Sequence, residues 1–196
     1  MNIMRPLDST KEENIIKAVF TIVGKNGLTG ITMSAISKEA ALSVGTLYTY
    51  FESKDEVIEA AYSSVEHMLT QKMYAGFDLD QPIKESLKRI YMNSINYRLK
   101  HYDETVFIDQ YIQSIYVQNH LTKQVKEFEQ QHKPLYELIK KGQDDGVFSI
   151  MPPFTMISFI NGSIRSCSNG IVQKLIPLSK QTFEDCFNMA WKGIQV

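Results

Sequence analysis

Glycine and proline are scarce in this chain of 196 residues, at 10 and 6, so helix breakers and turn formers are few and a turn-rich β architecture is excluded. Charge of one sign is not in excess either. The 21 Lys and Arg face 22 Asp and Glu, which excludes a supercharged tail, and 43% hydrophobic content suits one or two modest globular domains rather than a disordered chain. No apolar run is long enough to cross a bilayer. The opening MNIMRPLDSTKEE lacks a basic segment followed by an apolar one, from which a cytoplasmic protein without a signal peptide is expected. Cysteine is limited to Cys167 and Cys186, whose spacing fits no metal motif, and both are read as ordinary buried thiols. Asn161, Gly162 and Ser163 match a glycosylation sequon that means nothing without a secretory signal. His67, His101, His120 and His132 share no i, i+4 pair and no HExxH frame, and neither a GxSxG elbow nor a phosphate-cradling loop is present. No catalytic residue, metal or cofactor is therefore expected.

What is present is helix after helix, most with its own start signal. Ser9 with Glu12 and Thr10 with Glu13 form overlapping capping boxes before a first helix over residues 8–26, and Asn26 and Gly27 end it. Thr32 caps a second helix from Met33 to about Ala40, Ser43 a third from Val44 to about Phe51, and Ser53 with Glu56 opens a fourth that runs to about Gly76. Pro82 opens a fifth, and apolar stripes follow over Val106 to Tyr116 and Leu121 to Ile139. Pro134 either kinks or splits the latter. Pro153 to about Leu175 and Ser179 to about Ile194 complete an all-α chain.

Ala41, Leu42 and Ser43 separate two short helices, and Ile36, Ala40, Leu42 and Leu47 have the sizes to pack one against the other as a helix-turn-helix. The surface left over is small, hydroxyl-bearing and aromatic: Val44, Gly45, Thr46, Tyr48, Thr49 and Tyr50. Such a helix can enter a major groove, with Gly45 allowing close approach, Thr46 meeting base edges, and Tyr48 and Tyr50 reaching phosphates. Lys54, in the first turn of a helix where a cation opposes the dipole, makes sense if a phosphate docks there. The bland alternative is a solvated lysine and tyrosines that pack in the core.

The stretch ITMSAISKEAALSVGTLYTYFESKDEVIEAAY, Ile31 to Tyr62, closely resembles the DNA-binding domain of TetR-family transcriptional regulators, whose pattern is T…IA…AGVS.GTLY.YF.SKE.L. The resemblance implies that Thr32, Ser34, Ser43, Val44, Gly45, Thr46, Tyr48, Thr49, Tyr50 and Lys54 meet operator DNA. Ala41 and Leu42 stand where glycine and valine are common, Ser37 where alanine is, and Asp55 where glutamate is. Residues 1–55 carry six basic and six acidic side chains, so non-specific DNA binding and its salt slope are expected to be weak.

The division expected is a helix-turn-helix domain over 1–55 and a helical ligand-binding and dimerisation domain over 56–196. Residues 57–196 hold eight Phe, eight Tyr and one Trp, ample for an apolar pocket. The pocket is sought among Tyr91, Ile95, Phe107, Tyr111, Ile115, Tyr116, Phe128 and Phe159, with Arg165, Asn161 or Gln110 as orienting groups, although most are expected to be core. Ile157, Ile160, Ile164, Cys167 and Ile171 follow a 3-4-3-4 spacing beside a ridge of small residues, Ser158, Gly162, Ser166 and Gly170. With Phe183, Phe187 and Trp191 of the last helix, they suit the four-helix dimer seam that the resemblance implies; alternatively both stripes serve the monomer's core. The expected protein is a homodimeric regulator, a repressor that a small apolar or amphipathic ligand releases from a palindromic operator. A helical carrier or enzyme with a structural N-terminal cluster, and a transcriptional activator, are the alternatives.

Overall fold

The structure, a computed structural model, describes residues 9–116 and 128–196. Helix α1, Ser9–Asn26, buries Ile15, Val19, Phe20 and Val23 along one face and ends where Gly27 turns at φ 70. A 3-10 turn, Leu28–Gly30, leads to α2, Met33–Glu39, where the Thr32 hydroxyl accepts from Ala35 N at 3.0 Å. Helix α3, Val44–Leu47, is capped by Ser43, whose Oγ accepts from Thr46 N at 3.0 Å. It is shorter than the expected run to Phe51. Thr49 N and Tyr50 N bond to carbonyls three residues back, and the Thr49 hydroxyl donates to Thr46 O at 2.6 Å, which tightens the chain out of α-geometry.

Helix α4, Lys54–Met73, opens on Ser53, whose Oγ accepts from Glu56 N at 3.2 Å, while the Glu56 carboxylate accepts from Glu52 N at 2.6 Å. It stops at Met73, short of Gly76. Helices α5, Ile83–Lys100, and α6, Tyr102–Ile112, follow, the latter beginning and ending four residues before the stripe expected over Val106 to Tyr116. Pro134 lies in the first turn of α7, Lys133–Asp144, so it starts a helix rather than kinking one; Leu121, the expected beginning of that stripe, is outside the described residues. Helices α8, Pro153–Val172, and α9, Lys180–Ile194, come last, α9 capped by Ser179. Among the described residues there is no strand, only one isolated bridge between Phe148 and Gln195.

Packing divides the described chain into two units, and α4 runs from one into the other. The first holds residues 9–67 and 102–116; the second holds 68–101 and 128–196. This boundary differs from the expected division at 55/56, because α6 packs along α1 within the first unit, with the rings of Phe20 and Phe107 5.4 Å apart. Ile15, Val19, Ile36, Leu47, Val57 and Phe107 form the core of the first unit. In the second, α5, α7, α8 and α9 close around Tyr91, Leu138, Phe148, Ile160 and Trp191.

Candidate nucleic-acid interface

Leu47 fixes how α3 sits, because it is fully buried and its neighbours on the helix then face outward. Val44 is 41% exposed and Tyr48 53%, while Gly45 and Thr49 are also exposed. Thr46 and Tyr50 are half-buried; Thr32, Ser34, Ser43 and Lys54 are exposed. Each of the expected contact residues, on or beside α2, α3, the turn between them and the start of α4, is thus exposed or half-buried.

Two hydroxyls among them already have work within the chain. Ser43 Oγ and Thr46 Oγ1 lie 2.8 Å apart, and Ser43 also caps α3, so both hold the helix in place. Gly45 has no such task. A Cβ built there meets only Ser43 Oγ, at 3.9 Å, so internal packing does not require glycine at this exposed helical position, where glycine costs about 1 kcal/mol against alanine. The family's usual glycine position in the turn is occupied by Ala41, which takes the left-handed conformation at φ 53, while Leu42 needs no positive φ.

Helix α6 braces this head, a role that motif reading missed because its residues lie more than forty positions downstream of the helix-turn-helix. The Gln110 side-chain oxygen accepts from Leu28 N at 3.0 Å, holding the turn between α1 and α2. The amide oxygen of Gln110, expected as an orienting group of a pocket, is thus engaged within the chain. Tyr111 Oη donates to both carboxylate oxygens of Glu59, at 2.9 and 3.0 Å, and its ring stacks on Tyr62 at 4.2 Å. Beyond the end of α6, Tyr116 Oη donates to Asp55 Oδ1 at 2.9 Å. Burial, helped by that bond and by the Asp55 and Glu59 charges, pushes the Tyr116 phenol up to about 12. The first two turns of α4 are therefore tied by two phenol–carboxylate bonds, one to α6 through Tyr111 and one to the residues just after it through Tyr116.

The expected pocket residues are divided between the two units. Phe107, Tyr111, Ile115 and Tyr116 belong to the first unit, and Tyr91, Ile95, Phe128, Phe159 and Arg165 to the second. Tyr91, Ile95, Phe107 and Tyr111 are fully buried core, whereas Ile115, Phe159 and Arg165 stand at the surface. A stripe of aromatics at helical spacing mostly filled the two cores, as such stripes do. The dimer seam needs a similar correction. Ile157, Ile160, Ile164, Cys167, Ile171, Phe187 and Trp191 are buried within the second unit, and Phe183 packs partly against the same core. Gly170 receives the Ile176 side chain, which a Cβ would meet at 2.5 Å, so it serves the chain's own return and not a partner helix. What α8 turns outward is Ser158, Phe159 and Ser166, with Gly162 half-buried among them.

Among the histidines, His67 is exposed, His101 stacks on Tyr97 at 4.5 Å, and His120 is outside the described residues. His132 is buried beside Phe128, 3.1 Å from Tyr74 Oη through Nδ1, and burial pushes its pKa down to about 4. Among the described residues no cluster of His, Cys, Asp or Glu could hold a metal, and no helix is long and apolar enough to cross a membrane.

A helix-turn-helix with an exposed α3, packed within one unit beside a second helical unit, is an architecture that DNA-binding transcription regulators use. Known proteins then specify the family. The family model for bacterial regulatory proteins of the tetR family matches residues 15–61, and that for the tetracyclin repressor-like C-terminal domain matches residues 62–196. The chain belongs to the tetR family of bacterial regulatory proteins. A TetR family transcription regulator from Marinobacter aquaeolei has the same fold, with a TM-score of 0.87 at 20% identity over 96% of this chain and 97% of that one. A tetR family regulator from Shewanella gives 0.82 at 19% identity over 95% and 98%. An uncharacterized HTH-type transcriptional regulator of Haemophilus influenzae is 30% identical over 90 residues, 46% of this chain and 48% of that relative, so the match spans about half of its length.

Proposed function

We propose that the chain is a homodimeric cytoplasmic repressor, not an enzyme, whose two α3 helices read the half-sites of a palindromic operator, and that a small apolar or amphipathic ligand in the second unit releases it. The observation that carries the DNA-contact reading is the exposed side of α3, where Tyr48 is 53% exposed and no crowding in the chain requires the glycine at Gly45. In this reading Val44, Gly45, Thr46 and Tyr48 approach base edges and phosphates, Thr32, Ser34, Thr49 and Tyr50 flank them, Ser43 holds the helix, and Lys54 meets a phosphate. One helix barely longer than a turn gives little affinity alone, so a two-fold pair is part of the mechanism. The outer face of α8 and α9 suits that pairing: Phe159 is 51% exposed and Met189 66%, beside Gly162 and Ser166. Ligand release requires that the ligand bind one spacing of the two heads better than another. Tyr111 and Tyr116 supply the route into the head, since a displacement of α6 pulls on Glu59 and Asp55 of α4.

Selection of bound sequences from a random duplex DNA pool by the purified protein tests this reading. Enrichment of one palindrome is expected. No enrichment from a folded, dimeric protein would overturn it and favour a helical carrier. Lys54→Ala is expected to weaken binding about equally on all sequences and to lower the salt slope by about one per subunit.

A further inference from the structure

The two cysteines, 19 positions apart in the sequence, meet in space: Cys167 Sγ on α8 and Cys186 Sγ on α9 lie 2.8 Å apart. Both are free thiols; Cys167 is 4% exposed and Cys186 half-buried, so one is sheltered and the other reachable from solvent. The sulfurs need move only about 0.8 Å to reach bonding distance. The sequence reading of ordinary buried thiols says nothing of this proximity, since nothing in a spacing of 19 announces that two helices will bring the side chains together.

We propose that Cys167 and Cys186 are a reversible dithiol–disulfide site that closes across α8 and α9 on exposure to hydrogen peroxide. The reachable Cys186 sulfur attacks the peroxide: an S–O bond forms, the O–O bond breaks, and water leaves with the thiol proton, giving a sulfenic acid. Cys167 then attacks that sulfur. The S–S bond forms, the S–O bond breaks, and the departing hydroxide takes the Cys167 proton as a second water. Two thiols are oxidised by two electrons in all, and one peroxide is reduced to two waters. The division of roles follows burial, which pushes the Cys167 thiol up to about 12 and suits it to resolve rather than to attack first. A low-molecular-weight disulfide reaches the same product by exchange through a mixed disulfide on Cys186. Thiol reductants reverse it.

The test is made on the full chain, treated with hydrogen peroxide or oxidised glutathione and then with dithiothreitol. Expected are a fall from two titratable thiols to none, an intact mass lower by two hydrogens, and one cross-linked peptide pair containing positions 167 and 186. On a non-reducing denaturing gel the product runs as a single chain. Closing so short a loop is expected to raise Tm by roughly 5–10 °C, with reversal by dithiothreitol. Cys167→Ser and Cys186→Ser each abolish the cross-link, and only Cys167→Ser, which keeps Cys186, retains a glutathione adduct. Two thiols surviving treatment, a sulfinic acid at Cys186 with Cys167 still reduced, or a disulfide between chains would each overturn the proposal. If Cys167→Ser does not fold, the peptide map of the unsubstituted chain still decides. No DNA enters this readout, so its failure and a failure of the repressor reading are told apart.

Discussion

Helical glycines have two kinds of surroundings here, and Gly45 of the first unit contrasts with Gly142 and Gly170 of the second. In the first, a Cβ at Gly45 on α3 would meet only Ser43 Oγ, at an ordinary 3.9 Å; in the second, Gly142 on α7 and Gly170 on α8 are filled by the chain itself, through Phe148 and Ile176. A glycine that costs helix stability and admits a neighbouring side chain is explained by its own unit. One that costs the same and admits nothing internal points outward, to something that must come close. Gly142 and Gly170 therefore tell of packing, whereas Gly45, like Gly162 on α8, is not explained by packing within the chain.

The sharpest way to break that comparison is to give both kinds a methyl group. Gly142→Ala drives a Cβ into the Phe148 ring, which is fully buried against Trp191 at 5.4 Å, and a loss of about 3 kcal/mol is expected in urea unfolding. The helix-propensity gain of about 1 kcal/mol offsets only part of that overpacking. Gly45→Ala is expected to do the reverse: to stabilise by about 0.5–1 kcal/mol while reducing operator affinity at least fivefold. Unchanged DNA binding in that variant would remove the argument from Gly45.

Buried ionisable groups extend the contrast to pH. The second unit holds His132 with its folded pKa near 4 against an unfolded value of 6.5. Protons then bind the unfolded chain more readily, so the stability this neutral histidine contributes is present above pH 6.5 and is lost as pH falls from there toward 4. The full loss is of order 3 kcal/mol. Urea midpoints measured between pH 7.5 and 4.5 are expected to fall in the parent and to fall less in His132→Phe. A parent and variant with parallel pH profiles would show that the burial of His132 does not set this dependence.

How much of this could be read from the sequence also differs between the units. The caps of Thr32, Ser43, Ser53 and Ser179 were legible because each is a local contest between one side chain and a few backbone N–H groups. The outward face of α3 was legible for the same reason, together with the close family resemblance over Ile31 to Tyr62. Tyr111 and Tyr116 were read as pocket candidates and Gln110 as an orienting group, and their pairings in the head were not legible because the partners lie 52, 61 and 82 positions away and no local pattern encodes them. In α8 the 3-4-3-4 spacing identified a packed seam correctly but could not say which neighbour it packs against. Periodicity reports that a face is buried, not whether the chain or a second copy buries it, and here Ile157, Ile160 and Ile164 went to the chain's own core.

The smallest effect lies at the turn between α2 and α3, where Ala41 stands in the family's usual glycine position at φ 53. A left-handed conformation costs an alanine about 1–2 kcal/mol, whereas glycine adopts it freely but adds about 0.5–1 kcal/mol of unfolded-chain entropy. Ala41→Gly is thus expected to raise stability by about 0.5 kcal/mol, and Leu42→Val, at a residue without positive φ, to give no comparable gain. Paired urea melts of the two variants separate the accounts, since a turn limited by the Leu42 side chain would reverse their order. Ala41 retains a strained turn directly before the binding helix, whereas Gly45 spends stability on the helix itself. If Ala41→Gly gains stability without altering operator affinity, the strain belongs to the fold alone, and Gly45 remains the position in this head where stability is given up for binding.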